Sequence, residues 1–292
     1  MKVMEINNPK YPQLLKQISS PPLKLYYKGK WDRNLFKNCL AVVGTRQMTN
    51  YGRRVTDELV SRISSAGITI VSGFMYGVDA QAHRAALLAG GKTIAVMPCG
   101  IDLIHPGHQK KLYEEILANN GLIISELEAD HPPALWTYPK RNRIIAGLSQ
   151  AALVIEAGHN SGSLITASLA KEFGRKVFAV PGPVTGLVSQ GTLQLIKEGA
   201  AMAVSANDIL TDYGITDSEY SGNCFLHSGL NILEKNIIDR LAQEPRDIDT
   251  LSRLINITTS QLGAALSLMQ LQGIVSEGQG KYYVNSSGSN SQ

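Results

Sequence analysis

Cysteine is scarce in this 292-residue chain: Cys39, Cys99 and Cys224 are odd in number, widely scattered and form no Cys-x-x-Cys pair. That excludes a disulfide framework and any zinc or redox motif built on paired cysteines. Long apolar runs are missing as well. A charged residue, glycine or asparagine interrupts each one before the roughly 20 residues needed to cross a bilayer, and the opening MKVMEINNPKYPQLL has no apolar stretch of a secretory signal. No membrane insertion and a cytoplasmic location are therefore expected. Charged residues are only 18% of the chain against 43% hydrophobic, which describes a folded protein rather than a disordered one. The length allows about two domains.

The usual nucleotide motifs are also lacking. No G-x-G-x-x-G follows the first apolar run, so a dinucleotide cofactor is not expected. Gly91-Lys92-Thr93 imitates the end of a P-loop, but Ala86 stands where its first glycine must be, and the triplet precedes a strand instead of opening a helix. No cofactor, metal or catalytic set is expected.

What is present is an unequal spread of charge. Residues 1–40 carry eight Lys/Arg against Glu5 and Asp32, a net of +6; residues 41–210 are net +2 and residues 211–292 net −4. A polyanionic partner suits the first two segments better than the third. From 40 to 205, short apolar runs (40–45, 68–73, 93–99, 122–125, 152–158, 177–182) alternate with helical patterns near 50–66, 78–90, 108–119, 141–148, 162–174 and 190–198. Gly67, Gly90, Gly121 and Gly174 stand where helix C-caps are expected. The alternation predicts an α/β fold, a Rossmann-like doubly wound, mostly parallel sheet of six strands. A polar stretch then leads to three amphipathic patterns at 230–243, 247–255 and 259–272 and two short extended pieces, the layout of a small winged-helix domain. The expected organisation is a lead-in segment 1–39, a core 40–210, a linker 211–228, a winged helix 229–285 and a disordered tail 286–292.

Ligands of an open α/β sheet bind outside the carboxyl ends of its strands, and that is where the glycines collect. The turns are Gly44-Thr45-Arg46 through Gly52, Ser72-Gly73 through Gly77, Glu156-Ala-Gly158 through Ser161-Gly162-Ser163, and Pro181-Gly-Pro183. Several side by side predict a phosphate-binding crevice. The densest local feature is Trp136-Thr-Tyr138-Pro139-Lys140-Arg141-Asn142-Arg143, two aromatics beside three cations. Cations pair with phosphates and an adjoining ring offers an unpaired base a stacking face. Placed at a helix start they oppose the helix dipole, so a bound anion would offset the cost. Asp79 and His83, on one helix face, read as helix-start hydrogen bonding, and His105 and His108 as a plain loop. Ser161 and Ser163 lack the G-x-S-x-G setting of a nucleophile.

At these residues the chain resembles the DNA-processing protein A family (DprA, also called Smf). The likeness runs through Ala41-Val-Val-Gly44-Thr45-Arg46 with Thr49, Tyr51 and Gly52; Ile70-Val-Ser72-Gly73 with Gly77-Val-Asp79 and Ala82-His83; Ser125-Glu126; Pro139-Lys-Arg-Asn-Arg-Ile-Ile-Ala-Gly147; Ser161-Gly-Ser-Leu-Ile-Thr-Ala167; and Val177-Phe-Ala-Val-Pro-Gly182. The resemblance implies a non-enzymatic, homodimeric protein of natural transformation that binds and protects incoming single-stranded DNA and helps load the RecA recombinase, with single-strand-binding protein as a further candidate partner. By the motif match Arg46 and Lys140 contact phosphates, and Thr45, Ser72, Gly73, Asn142, Arg143, Ser161, Gly162 and Ser163 complete the pocket, with Tyr138 and Tyr76 as base-stacking candidates. Three positions depart from the family pattern: Tyr76 replaces an Arg, Tyr138 a Phe and Leu193 an Asn. The rival readings are a nucleotide-processing enzyme on the related LOG scaffold, whose Pro-Gly-Gly-x-Gly-Thr motif with a catalytic Glu is absent here, and a small-ligand sensor using the same crevice.

Overall fold

A computed structural model describes residues 2–215, 232–271, 274–278 and 280–284. The expected tail and most of the expected linker lie outside these residues. The chain divides into two compact units, Met1–Tyr220 and Ser221–Gln292.

The first unit is a nine-stranded sheet. Its elements are β1 (Lys2–Glu5), α1 (Gln13–Lys16), β2 (Lys24–Gly29), β3 (Cys39–Val43), α2 (Asn50–Ser65), β4 (Thr69–Ser72), α3 (Val78–Leu88), β5 (Thr93–Val96), α4 (Lys110–Ala118), β6 (Leu122–Ser125), α5 (Thr137–Leu148), β7 (Ala151–Val154), α6 (Gly162–Glu172), β8 (Lys176–Ala179), α7 (Gln190–Lys197), β9 (Ala201–Met202) and α8 (Asn207–Leu210). The spatial order is β1-β2-β6-β5-β4-β3-β7-β8-β9. Ala41 sits between Val71 and Ala152 in parallel register, while β1, β2 and β6 pair antiparallel. The doubly wound core is thus the one expected, but with nine strands instead of six: β1 and β2 extend one edge and β9 the other.

The central strands read as continuous apolar runs because both their faces are covered. In β3, Cys39, Ala41 and Val43 pack toward Ile144, Ile145 and Leu148 of α5 and Ala167 of α6, whereas Leu40 and Val42 pack toward Leu59, Val60 and Ile63 of α2 and Ala82 of α3. Each fully buried Leu or Ile contributes about 1.5–3 kcal/mol, so the strand-end turns stand on a rigid base. Helix ends follow local rules: the Thr49 hydroxyl accepts from Gly52 N–H at 3.1 Å and caps α2. At the end of α4 the left-handed residue is Asn120 (φ 57°) and not the expected Gly121, whose missing Cβ instead leaves room for the Ile116 carbonyl.

The second unit comprises α9 (Ile232–Gln243), α10 (Ile248–Ile255), α11 (Thr259–Leu271) and the antiparallel hairpin β10 (Val275–Gly278) and β11 (Lys281–Val284). Ile237, Leu241, Leu251, Leu262, Leu266 and Met269 form its own core. Asp247 caps α10 by accepting from Thr250 N–H at 2.8 Å. Among the described residues no helix is long and apolar enough to cross a membrane.

Candidate nucleic-acid interface

After β3, β4, β5 and β6 progress one way, the chain crosses back to place β7 on the other side of β3. Such a reversal opens a crevice at the carboxyl ends of the two strands. Glu156, just past β7 and 3% exposed, ties the two turns together. Its carbonyl accepts from Thr45 N–H at 2.7 Å, and its carboxylate accepts from Thr49 N–H at 2.9 Å and the Thr49 hydroxyl at 2.5 Å. The turn after β4 packs against the same place, since a Cβ on Gly77 (φ +69°) would strike the backbone of Thr45 and Arg46. Only glycine fits there.

Beneath these turns lies a buried guanidinium. Arg141 donates to the Val96 carbonyl at 2.6 Å and to the Gly73 carbonyl, and Gly73 lacks a side chain where that guanidinium sits. Burial pushes its pKa down to about 10, with Asp79 acting the other way, so it is charged at neutral pH. Burial raises the Asp79 carboxyl, which Arg141 chiefly opposes; its Oδ2 accepts from Met75 N–H at 3.3 Å, the helix-start role expected of it. The Ser72 hydroxyl also points inward and donates to the Val42 carbonyl at 2.6 Å.

The outer rim comes from α5 and its neighbours. Helix α5 starts at Thr137 rather than 141, because Pro139 falls in the first turn, where its missing N–H needs no partner. The three cations consequently lie past the helix start and diverge. Arg141 turns inward; Arg143 pairs with Glu126 and donates to the Ser20 carbonyl at 2.7 Å; Lys140 stays half exposed, 3.4 Å from Glu126 and 5.6 Å from the Trp136 ring. Exposed Arg46 has its guanidinium 5.1 Å over the Tyr138 ring. The Tyr138 hydroxyl lies within hydrogen-bond distance of His105 Nε2, at 2.8 Å; burial first, and Arg46 second, lower the His105 pKa. Tyr76, 44% exposed, lies face to face with His108 at 4.9 Å and 7°.

On the β7 side the Ser161 hydroxyl caps α6, accepting from Ser163 N–H at 3.4 Å with the Ser163 hydroxyl 2.8 Å away. Asn142 donates to the Gly162 carbonyl at 3.3 Å and so links α5 to that cap. Arg46, Tyr138, Lys140 and Tyr76, with Thr45, Gly162 and the partly exposed Ser161, therefore have faces toward solvent. Ser72 and Gly73 do not, and build the floor; Arg143, partly buried, braces the wall, because its guanidinium is taken by Glu126 and the Ser20 carbonyl. Leu193 lies half-buried in α7. The sequence reading missed the burial of Arg141, the Glu156 tie and the rim histidines, whose partners are remote in sequence. Among the described residues no cluster of three or more His, Cys, Asp or Glu could hold a metal.

The family model described as DNA recombination-mediator protein A matches residues 2–214, and that of the DprA winged helix domain matches residues 228–281. Protein Smf of Synechocystis is 44% identical over 211 residues, 71% of this chain, and the chain spans about half (53%) of that relative's length. The X-ray structure of DNA processing protein A from Streptococcus pneumoniae matches with a TM-score of 0.69 and 39% identity, covering 72% of this chain and 74% of that one. A structure of DNA processing protein A from Helicobacter pylori, described for its single-stranded DNA binding mode, matches with a TM-score of 0.65 and 32% identity over 73% of this chain and 96% of that one.

Proposed function

Since the chain belongs to the DNA recombination-mediator protein A family, we propose that it binds single-stranded DNA in the crevice between the β3 and β7 turns. The observation that carries this reading is the Arg46 guanidinium on the Tyr138 ring. Among the described residues no carboxylate lies within ion-pair distance of it, so a cation for a phosphate and a ring for a base stand together at the switch point. Lys140 supplies a second phosphate contact. Thr45 and the Ser161-Gly162-Ser163 helix start supply hydroxyl and N–H donors, and Tyr76 a second ring. Such contacts read backbone and base faces rather than base edges, so binding is to single strands with little sequence preference. In the cell the protein shields incoming DNA in the cytoplasm and hands it to the RecA recombinase for recombination during transformation, acting as a homodimer alongside single-strand-binding protein and without catalysing a reaction itself. Fluorescence polarisation with labelled oligo-dT, a duplex of equal length and AMP as competitor tests it. Tight oligo-dT binding that weakens as salt rises is expected. Equal affinity for the duplex overturns the reading, and displacement by AMP points to a nucleotide-binding enzyme or sensor.

A further inference from the structure

Outside the crevice, a groove of about 600 Å³ lies between α3 and α4, within the range of about 300–1,000 Å³ that holds small-molecule-sized ligands. Leu87, Leu88 and Leu112 give it apolar walls, and Arg84, Lys111 and His108 give it hydrogen-bond donors. Arg84 is exposed, and among the described residues no carboxylate lies within ion-pair distance of it, although Asp57 feels its field. Lys111 meets Glu115 at 3.9 Å with both side chains well exposed; a pair of that kind is worth little and exchanges readily for another anion. The groove is thus apolar inside, with a rim where Arg84 and Lys111 outnumber one carboxylate, Glu115.

Its position gives it an occupant. His108 belongs to the groove and also stacks on Tyr76. Tyr76 immediately precedes Gly77, whose backbone is pressed against that of Arg46. The contacts therefore run from the Arg46 backbone, through Gly77 and an exposed pair of parallel rings, into the groove. We propose that the single strand leaving the crevice passes over the Tyr76–His108 pair, where a base stacks, and that the α3–α4 groove holds the next nucleotides, with Arg84 and Lys111 on their phosphates. This rests on the crevice reading above and adds a second stretch of strand to it. Bases have flat apolar faces and a phosphate between them, which is the chemistry of leucine walls under a cationic rim.

The test uses the full chain and labelled oligo-dT of about 6 and about 20 nucleotides, lengths that bracket a short and a long footprint on a single-strand binding fold. Arg84→Gln, Lys111→Gln and the double variant, all surface changes checked by circular dichroism, should bind the long strand more weakly, the double variant about tenfold, and the short one unchanged. For the double variant, the salt slope on the long strand should also shrink by about 0.7 for each cation removed. Unchanged affinity and slope on the long strand, or the same loss on both lengths, overturns the exit path. Arg46→Ala separates the two readings: if it weakens both lengths while the groove variants are silent, only the exit path falls. If Arg46→Ala binds both lengths like wild type, the crevice falls and the groove path with it.

Discussion

Arg46 and Lys140 bring the same formal charge to the crevice, but their neighbours make them unequal. The Arg46 guanidinium rests on a neutral ring, while the Lys140 ammonium is 3.4 Å from Glu126 and must share that carboxylate with Arg143. A phosphate arriving at Lys140 competes with an existing partner; at Arg46 it does not. Arg46→Ala should therefore cost single-strand affinity about 1–3 kcal/mol, the value of a charge-assisted hydrogen bond, and Lys140→Ala distinctly less, with neither melting temperature moving. Titrating both variants with oligo-dT checks the order, and a larger loss for Lys140→Ala would mean that Glu126 releases it freely. The buried His83 makes a different prediction, about stability. Its Nδ1 meets the Thr93 hydroxyl at 2.6 Å, and that hydroxyl donates to the Ile70 carbonyl at 2.9 Å, so the ring is a neutral donor at Nδ1. Burial, aided by Arg141 and Arg84, lowers its pKa to about 3. Between the ordinary value of 6.5 and that limit only the unfolded chain takes up the proton, so the stabilising contribution is complete above pH 6.5 and drains away as pH falls. At pH 5 that amounts to about 2 kcal/mol. Chemical denaturation of wild type and His83→Gln at pH 7 and pH 5 should show the wild type losing about that much more; parallel losses would mean that the native state opens to protonate the ring.

Helix α5 presents Tyr138 outward and Arg141 inward from adjoining turns. If the Tyr138 ring stacks a base, Tyr138→Ala should weaken oligo-dT binding by about 1–3 kcal/mol. Tyr138→Phe, which loses only the hydroxyl bond to His105, should bind nearly as wild type; a Phe variant as weak as Ala would assign the effect to the His105 bond instead. The same helix shows where sequence reading stops. Buried central strands announce themselves as apolar runs, and Thr49, Gly67, Gly90 and Gly174 mark helix ends through local backbone rules that need no knowledge of the fold. Strand β1, Lys-Val-Met-Glu, buries only Met4, so nothing in its pattern separates an edge strand from a loop. The helix expected from about residue 141 begins at Thr137, because a proline is barred from a helix interior but not from its first turn, where Pro139 stands. The glycine turns of the crevice were legible for the same local reason. What each cation does there was not, since Glu126, Ser20 and Val96, the partners that divide Lys140, Arg143 and Arg141 among three tasks, are remote in sequence.

At the scale of the whole molecule the charge is divided between the two units, and that division decides which of them should hold DNA. Residues 227–285 carry five Lys/Arg against six Asp/Glu. Helix α11, which stands where a winged helix would place its reading helix, has no cation over Thr259–Leu271, whereas a helix entering the major groove brings Arg or Lys to phosphates and guanines. It buries Leu262, Leu266 and Met269 in the unit's own core and leaves Leu268 and Leu271 exposed, a surface better suited to a protein than to a polyanion. The first unit has its cations at strand ends and a core of its own, but where it is cut matters. Tyr213 donates its hydroxyl to the Cys39 carbonyl at 2.7 Å, and it packs with Ile215 against the α2 side of the sheet. A chain ending at residue 210 would therefore lose part of that core, and one ending at Tyr220 would keep it. Residues 1–220 should melt cooperatively and retain most of the oligo-dT affinity of the full chain. The cations that set the salt slope stay with that piece, so the slope should be unchanged as well. If this piece folds but no longer binds, while residues 221–292 bind oligo-dT at physiological salt, the acidic balance of the winged helix has not kept it off DNA, and the reader must be sought on its hairpin, where Lys281 lies, rather than on α11.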